Sequence, residues 1–188
     1  MQMNDEIRIA APRTRVFDSL NDPEVLKACI PGCESLEKVS DRELTATVLA
    51  KVGPVKARFN GVVTLSDLRP PESYTITGEG KGGAAGFAKG GAKVHLTEDG
   101  DDTLLRYEVN ADVGGKLAQL GSRLVDGAAR RYAKDFFTAF KGRVETPGVP
   151  EPAAAPAEAA PARADRRWLW IAIGAAVVVA LIVAYALS

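Results

Sequence analysis

Residues 168–187 read WLWIAIGAAVVVALIVAYAL, an apolar run without a charge or a proline. At about 1.5 Å per residue, a helix of this length spans roughly 30 Å, the thickness of a bilayer's hydrocarbon core. Trp168 and Trp170 stand at one end and Tyr185 at the other, as interfacial aromatic residues do. Arg163, Arg166 and Arg167 precede the run, so the positive-inside rule puts everything before it on the cytoplasmic side. The expectation is a single-pass tail anchor in the cytoplasmic membrane. The first residues, MQMNDEIRIA, lack the charged-then-apolar pattern of a secretory signal, in keeping with a cytoplasmic main domain.

Ahead of the anchor, residues 147–165 are PGVPEPAAAPAEAAPARAD, with nothing large enough to build a core. Residues 147–167 are therefore read as a Pro/Ala-rich linker with a basic end, of reach roughly 60 Å at about 3 Å per residue. That leaves residues 1–146 as one globular domain.

Within the domain, residues 6–10 suit a strand. Pro12 opens a helix through Leu20, and residues 24–28 form a second short helix before Pro31-Gly32. Strict alternation then begins. Leu44, Ala46, Val48, Ala50 and Val52 share one face, and after the turn Gly53-Pro54 so do Ala57, Phe59, Gly61, Val63 and Leu65. Residues 74–80, 86–96 and 103–113 supply further strands, giving six or seven antiparallel strands in all. From residue 115 to 144, Leu117, Leu120, Leu124, Ala128, Phe136 and Phe140 recur mostly at steps of three or four, the mark of a long amphipathic helix. An antiparallel sheet with one wet face needs a cover for the other, and this helix is the one element long enough. The fold class is α+β.

Several chemistries fit poorly. The chain carries 24 basic and 24 acidic residues, so no strong net field draws nucleic acid. One histidine, His95, cannot support a Ser-His-Asp arrangement, and no carboxylate pair is set in an apolar run, so no catalytic residue is assigned and the chain is read as a non-enzyme. Cys29 and Cys33 have no histidine or third cysteine nearby to complete a metal site and are read as thiols. Gly78, Gly80 and Gly83 spell the dinucleotide fingerprint GxGxxG, but Gly86, Gly90 and Gly91 leave no helix start for a pyrophosphate. The stretch reads instead as a glycine-rich hairpin, with Phe87 between Lys81 and Lys89 at a cavity lip or a membrane-contact tip.

Asp22-Pro23, the run 30–34 (IPGCE), the run 52–57 (VGPVKA), the run 78–82 (GEGKG), Tyr107, the run 114–118 (GGKLA) and the run 120–123 (LGSR) together resemble the G-subunit family of carbon monoxide dehydrogenase. That family is a branch of the START-like, polyketide-cyclase-type superfamily, and the likeness runs through nearly all of residues 3–146. It implies a helix-grip fold, a curved sheet wrapped around the long helix, with an apolar cavity for lipids and other hydrophobic molecules. It implies an accessory role beside a molybdenum-containing carbon monoxide dehydrogenase or a related hydroxylase. With the anchor and linker, the implied cargo is a respiratory isoprenoid quinone, menaquinone or ubiquinone. The candidate ligand-binding residues are Phe59, Val63, Tyr74, Ile76, Phe87, Val94, Leu105, Tyr107 and Val109 from strands, and Leu117, Leu120, Leu124, Ala128 and Phe136 from the helix. Tyr74 and Tyr107 combine an apolar body with a donor suited to a quinone carbonyl. Two alternatives stand beside the carrier: a ligand-free adaptor that recruits the dehydrogenase to the membrane, and a small-molecule enzyme of the polyketide-cyclase type.

Overall fold

The alternation read from the sequence becomes a seven-stranded antiparallel sheet in the computed structural model, which describes residues 1–145. The proposed linker and anchor, 147–187, lie outside the described residues. No helix among the described residues is long and apolar enough to cross a membrane.

The chain opens with strand β1 (Gln2–Ile9), which starts four residues earlier than its apolar pattern suggested. Helix α1 (Arg13–Leu20) follows from Pro12 and buries Val16, Phe17 and Leu20. Helix α2 (Pro23–Cys29) has Pro23 in its first turn, and the Asp22 carboxylate accepts from the Glu24 backbone N–H at 2.8 Å. Strand β2 (Cys33–Ser40) is the seventh strand, and its pattern is weak because only Leu36 is buried. Strands β3 (Glu43–Val52), β4 (Val55–Arg69) and β5 (Ser73–Lys81) meander onward, followed by a short 3-10 turn, Gly83–Ala85. Strands β6 (Phe87–Asp99) and β7 (Asp102–Gly114) complete the sheet in the spatial order β1-β7-β6-β5-β4-β3-β2.

The long helix expected over 115–144 is interrupted. Its first part is α3 (Lys116–Gln119), and α4 (Ser122–Val144) begins anew after Gly121, whose φ of 85° no helix accommodates. The core gathers where α1, α2 and the C-terminal half of α4 meet the sheet, with Ile9, Val16, Leu96, Leu105 and Phe140 at its centre.

Antiparallel order gives the domain two ends. At one, the tip, lie the β3–β4, β5–β6 and β7–α3–α4 connections. At the other, the base, lie the β2–β3, β4–β5 and β6–β7 connections, with Glu145 closing α4 there by accepting from the Ala10 N–H at 2.9 Å.

Candidate functional site

The inner face of the sheet divides into a half with large side chains and a half with small ones. Toward the base, Leu44, Leu65, Tyr74, Val94, Leu96 and Leu105 fill the space under α1 and α4. Further along, Gly61 pairs with Gly80 and Val63 with Gly78, so three of these four neighbouring positions send no side chain toward the helix. The result is a cavity of about 590 Å³ between sheet and helix, within the roughly 300–1,000 Å³ typical of small-molecule sites. Ala92 and Val109 continue its floor, and Phe136, Phe137 and Ala133 of α4 form its roof.

Nine of the residues singled out from the sequence line this cavity: Phe59, Val63, Tyr74, Ile76, Val94, Leu105, Tyr107, Val109 and Phe136. Five stand elsewhere. Phe87 belongs to the outer row of β6, opposite in parity to Ala92 and Val94, and its ring lies over Gly114, 40 % exposed. Leu117 is buried on α3 and Leu120 sits at the break before Gly121, so neither shares the stripe of α4. Leu124 is 51 % exposed near the β3–β4 turn, and Ala128 is one turn further along α4, ahead of the roof residues.

Other lining residues come from the short elements: Leu20 at the end of α1 and Asn21 after it, Leu26 of α2 and Ile30 just beyond it, and Leu36, Lys38 and Asp41 around β2. Apart from Leu20, which shares the apolar face of α1 with Val16 and Phe17, no periodicity marks them. The alternation of β3 does mark Ala46 and Val48, which also line the cavity.

Polar groups are few and concentrated toward the base. Asn21 donates its side-chain N–H to the Phe17 carbonyl at 2.8 Å, and Lys38 pairs with Asp41 at 3.3 Å. The Tyr74 ring meets Phe17 edge-on, centroids 5.7 Å apart, and the residue is 4 % exposed. Its hydroxyl has no hydrogen-bond partner among the described residues, and burial pushes its pKa well above the ordinary range. Among the described residues the fully buried side-chain atoms without a partner are Arg13 Nε and Asp126 Oδ1, so the Tyr74 oxygen is not sealed off and is open to a bound molecule or to water. Tyr107 is stacked on Phe137 at 5.3 Å, and burial raises its pKa, helped by Asp5 and opposed by Arg130.

The remaining motifs settle into the scaffold. Gly78 and Gly80 lie in β5 and Gly83 in the 3-10 turn, with strand β6 following, so the glycine run ends in a hairpin and offers no helix N-terminus. Cys29 and Cys33 are free thiols, each with its pKa raised by burial. No group of three or more metal-ligating side chains occurs among the described residues.

Residues 6–145 match the family model of CoxG, the G-subunit of carbon monoxide dehydrogenase. A search of curated proteins returned no match. Among solved structures, a conserved protein from Geobacillus kaustophilus is 30 % identical with a TM-score of 0.73, the match covering 77 % of this chain and 95 % of that one. The fold thus stands by itself as nearly the whole of that chain. A Thermus thermophilus protein (19 % identity, TM-score 0.59) and a START superfamily protein from Mycobacterium smegmatis (16 %, 0.59) each share the fold over 77 % of this chain and 97 % of theirs.

Proposed function

The chain belongs to the G-subunit family of carbon monoxide dehydrogenase, and from that premise we propose that it is a membrane-anchored accessory protein that carries a respiratory quinone, or a similar lipid, between the bilayer and a molybdenum-containing dehydrogenase. The observation that carries this reading is the apolar cavity between sheet and helix, with Tyr74 and Tyr107 as polar-tipped residues in its wall. Such a wall suits a ligand that is mostly hydrocarbon and has a hydrogen-bond acceptor at one end.

Energetics explain why this cargo needs a carrier. At about 0.8 kcal/mol per methylene, each isoprene unit leaving lipid for water costs several kcal/mol. A cavity that replaces the bilayer's apolar surroundings removes most of that penalty, and the carrier need not bind its cargo more tightly than the membrane does. The apolar run 168–187 is the proposed anchor, and the linker 147–167 lets the domain reach a soluble enzyme while staying near the bilayer. Inner-face groups here bind and orient. The charged residues at the cavity, Lys38, Asp41 and Glu79, are solvent-exposed, which favours binding over catalysis.

The test is native mass spectrometry and organic extraction of residues 1–146 purified from a quinone-producing host. A stoichiometric isoprenoid quinone is the expected result. An empty domain that still binds the dehydrogenase would replace the carrier with a ligand-free recruitment adaptor.

A further inference from the structure

The formal charge of the chain is zero, yet its charges are shared unevenly between the two ends of the domain. At the base acids outnumber bases: Asp41 and Glu43 flank Arg42 around the β2–β3 turn, Asp67 and Glu72 flank Arg69 around the β4–β5 turn, and the run 98–102 (EDGDD) spans the β6–β7 turn. Arg8 and Arg13 reach into this end and pair with Asp99, Asp102, Glu98 and Glu72.

The tip is the reverse. Its three connections carry Lys51 and Lys56, Lys81 and Lys89, and Lys116 and Arg123, all exposed, and none of the three stretches contains an acidic residue. Lys81 pairs with Glu79 at 3.1 Å, and in the strand register Lys89 lies between Glu79 and Asp112. Lys51, Lys56, Lys116 and Arg123 form no ion pair among the described residues. The same surface exposes two large apolar side chains, Leu124 at 51 % beside the β3–β4 turn and Phe87 at 40 % beside the 3-10 turn. Unpaired cations interleaved with exposed apolar side chains are the composition that adsorbs to anionic bilayers, the cations meeting headgroups and the apolar residues entering the interface.

We infer that the tip is a docking surface for an anionic lipid membrane, which turns the acidic base away from the bilayer. An anionic membrane attracts one end of this dipole and repels the other, so the surface selects an orientation as well as a location. The cavity lies close behind it. Phe59, one of its lining residues, sits beneath the 3-10 turn, where a Cβ on Gly82 would stand 2.5 Å from its ring.

This inference rests on surface charge and not on the cavity's occupant, and its test holds the two apart. Residues 1–146, without the proposed anchor, are mixed with quinone-free vesicles of phosphatidylcholine alone or with 30 mol% phosphatidylglycerol (about a third anionic, chosen to give a strong surface potential), and binding is read by flotation. The expected result is binding to the anionic vesicles that weakens with added salt, and none to the neutral ones. Each of Lys51→Gln, Lys56→Gln, Lys116→Gln and Arg123→Gln should lower the partition coefficient roughly five-fold, and Leu124→Ser should lower it further. Thermal melts of each variant confirm that the fold is intact, and the base variant Asp101→Asn should leave binding unchanged or stronger. Equal binding to both vesicle types, or a quadruple Lys/Arg variant that binds as the parent does, overturns the inference. So does absence of binding to the anionic vesicles, which would give the basic tip to a protein partner. None of these outcomes depends on whether a quinone is extracted from the domain.

Discussion

The hydroxyl of Tyr132 accepts a hydrogen bond of 2.9 Å from the backbone N–H of Lys51, which ties the middle of α4 to the end of β3. Strand β2 begins pairing with β3 only at Val48, so beyond that point β3 is an edge and the Lys51 N–H has no strand partner on that side. Tyr132 supplies the acceptor. Tyr132→Phe should therefore destabilise the domain by about 1 kcal/mol, lowering the melting temperature by about 2–4 °C. A melt indistinguishable from the parent would show that water serves the edge equally well.

Two glycines in left-handed conformations separate backbone constraint from packing constraint. Gly86 has a φ of 108°, and a Cβ there would collide with the Gly114 carbonyl, while Gly115 approaches so closely that its own Cβ would lie 2.6 Å from the Gly86 Cα. Gly100 has a φ of 66° with open space around it. Gly100→Ala should cost about 1 kcal/mol, the left-handed penalty alone. Gly86→Ala should cost at least about 2 kcal/mol, because clash adds to conformation. Denaturant melts of the two variants give the ordering, and equal losses would contradict the packing.

The sequence carried the sheet better than the cavity. Strict alternation in β3 and β4 set their register and faces, since a one-residue slip would turn every apolar side chain to water. The site's outline was legible where it lay on such strands, as at Phe59, Val63, Tyr74 and Tyr107. It was not legible at α3, where Leu117 and Leu120 fit a helical spacing that Gly121 interrupts. Phe87 misled because a hairpin end reveals hydrophobicity before it reveals parity. Lys38 and Asn21 gave no signal, because a polar residue in a short element reads as surface until the chain folds it beside a cavity.

Ala92 offers a direct probe of whether the space between sheet and helix is a void or a filled core. It faces the cavity from β6, opposite Ile76. Ala92→Leu should stabilise the ligand-free domain by about 1 kcal/mol, since the added carbons enter empty apolar space at about 0.8 kcal/mol per methylene less some strain. The same change should lower occupancy by an extracted quinone at least about ten-fold. If the space were already packed, the larger side chain would instead cost about 1–3 kcal/mol.

Tyr74 links the site's chemistry to pH. Its hydroxyl has no partner to lose among the described residues, so Tyr74→Phe should leave the ligand-free domain as stable or up to about 1 kcal/mol more so. Against a short-tailed quinone the same variant should bind about 5–10-fold more weakly, while affinity for a plain alkyl ligand stays level. A structural tyrosine would show the opposite, with stability lost and the two ligands equally affected. Burial holds the folded pKa of Tyr74 above its ordinary value of 10.0. Its contribution to stability is thus fully present below about pH 10, and is lost as pH rises from there toward the folded value, because the unfolded chain releases its proton first. The raised pKa values of Cys29 and Cys33 begin the same loss earlier, above their ordinary 9.0. Denaturant melts from pH 8 to 11 should therefore show a decline that starts with the thiols and steepens near pH 10 (order of the ordinary values). In Tyr74→Phe the second part should shrink and the first remain. A decline identical in both proteins would mean that the hydroxyl is solvated in the folded state, and the donor assigned to a bound carbonyl would already be satisfied by water.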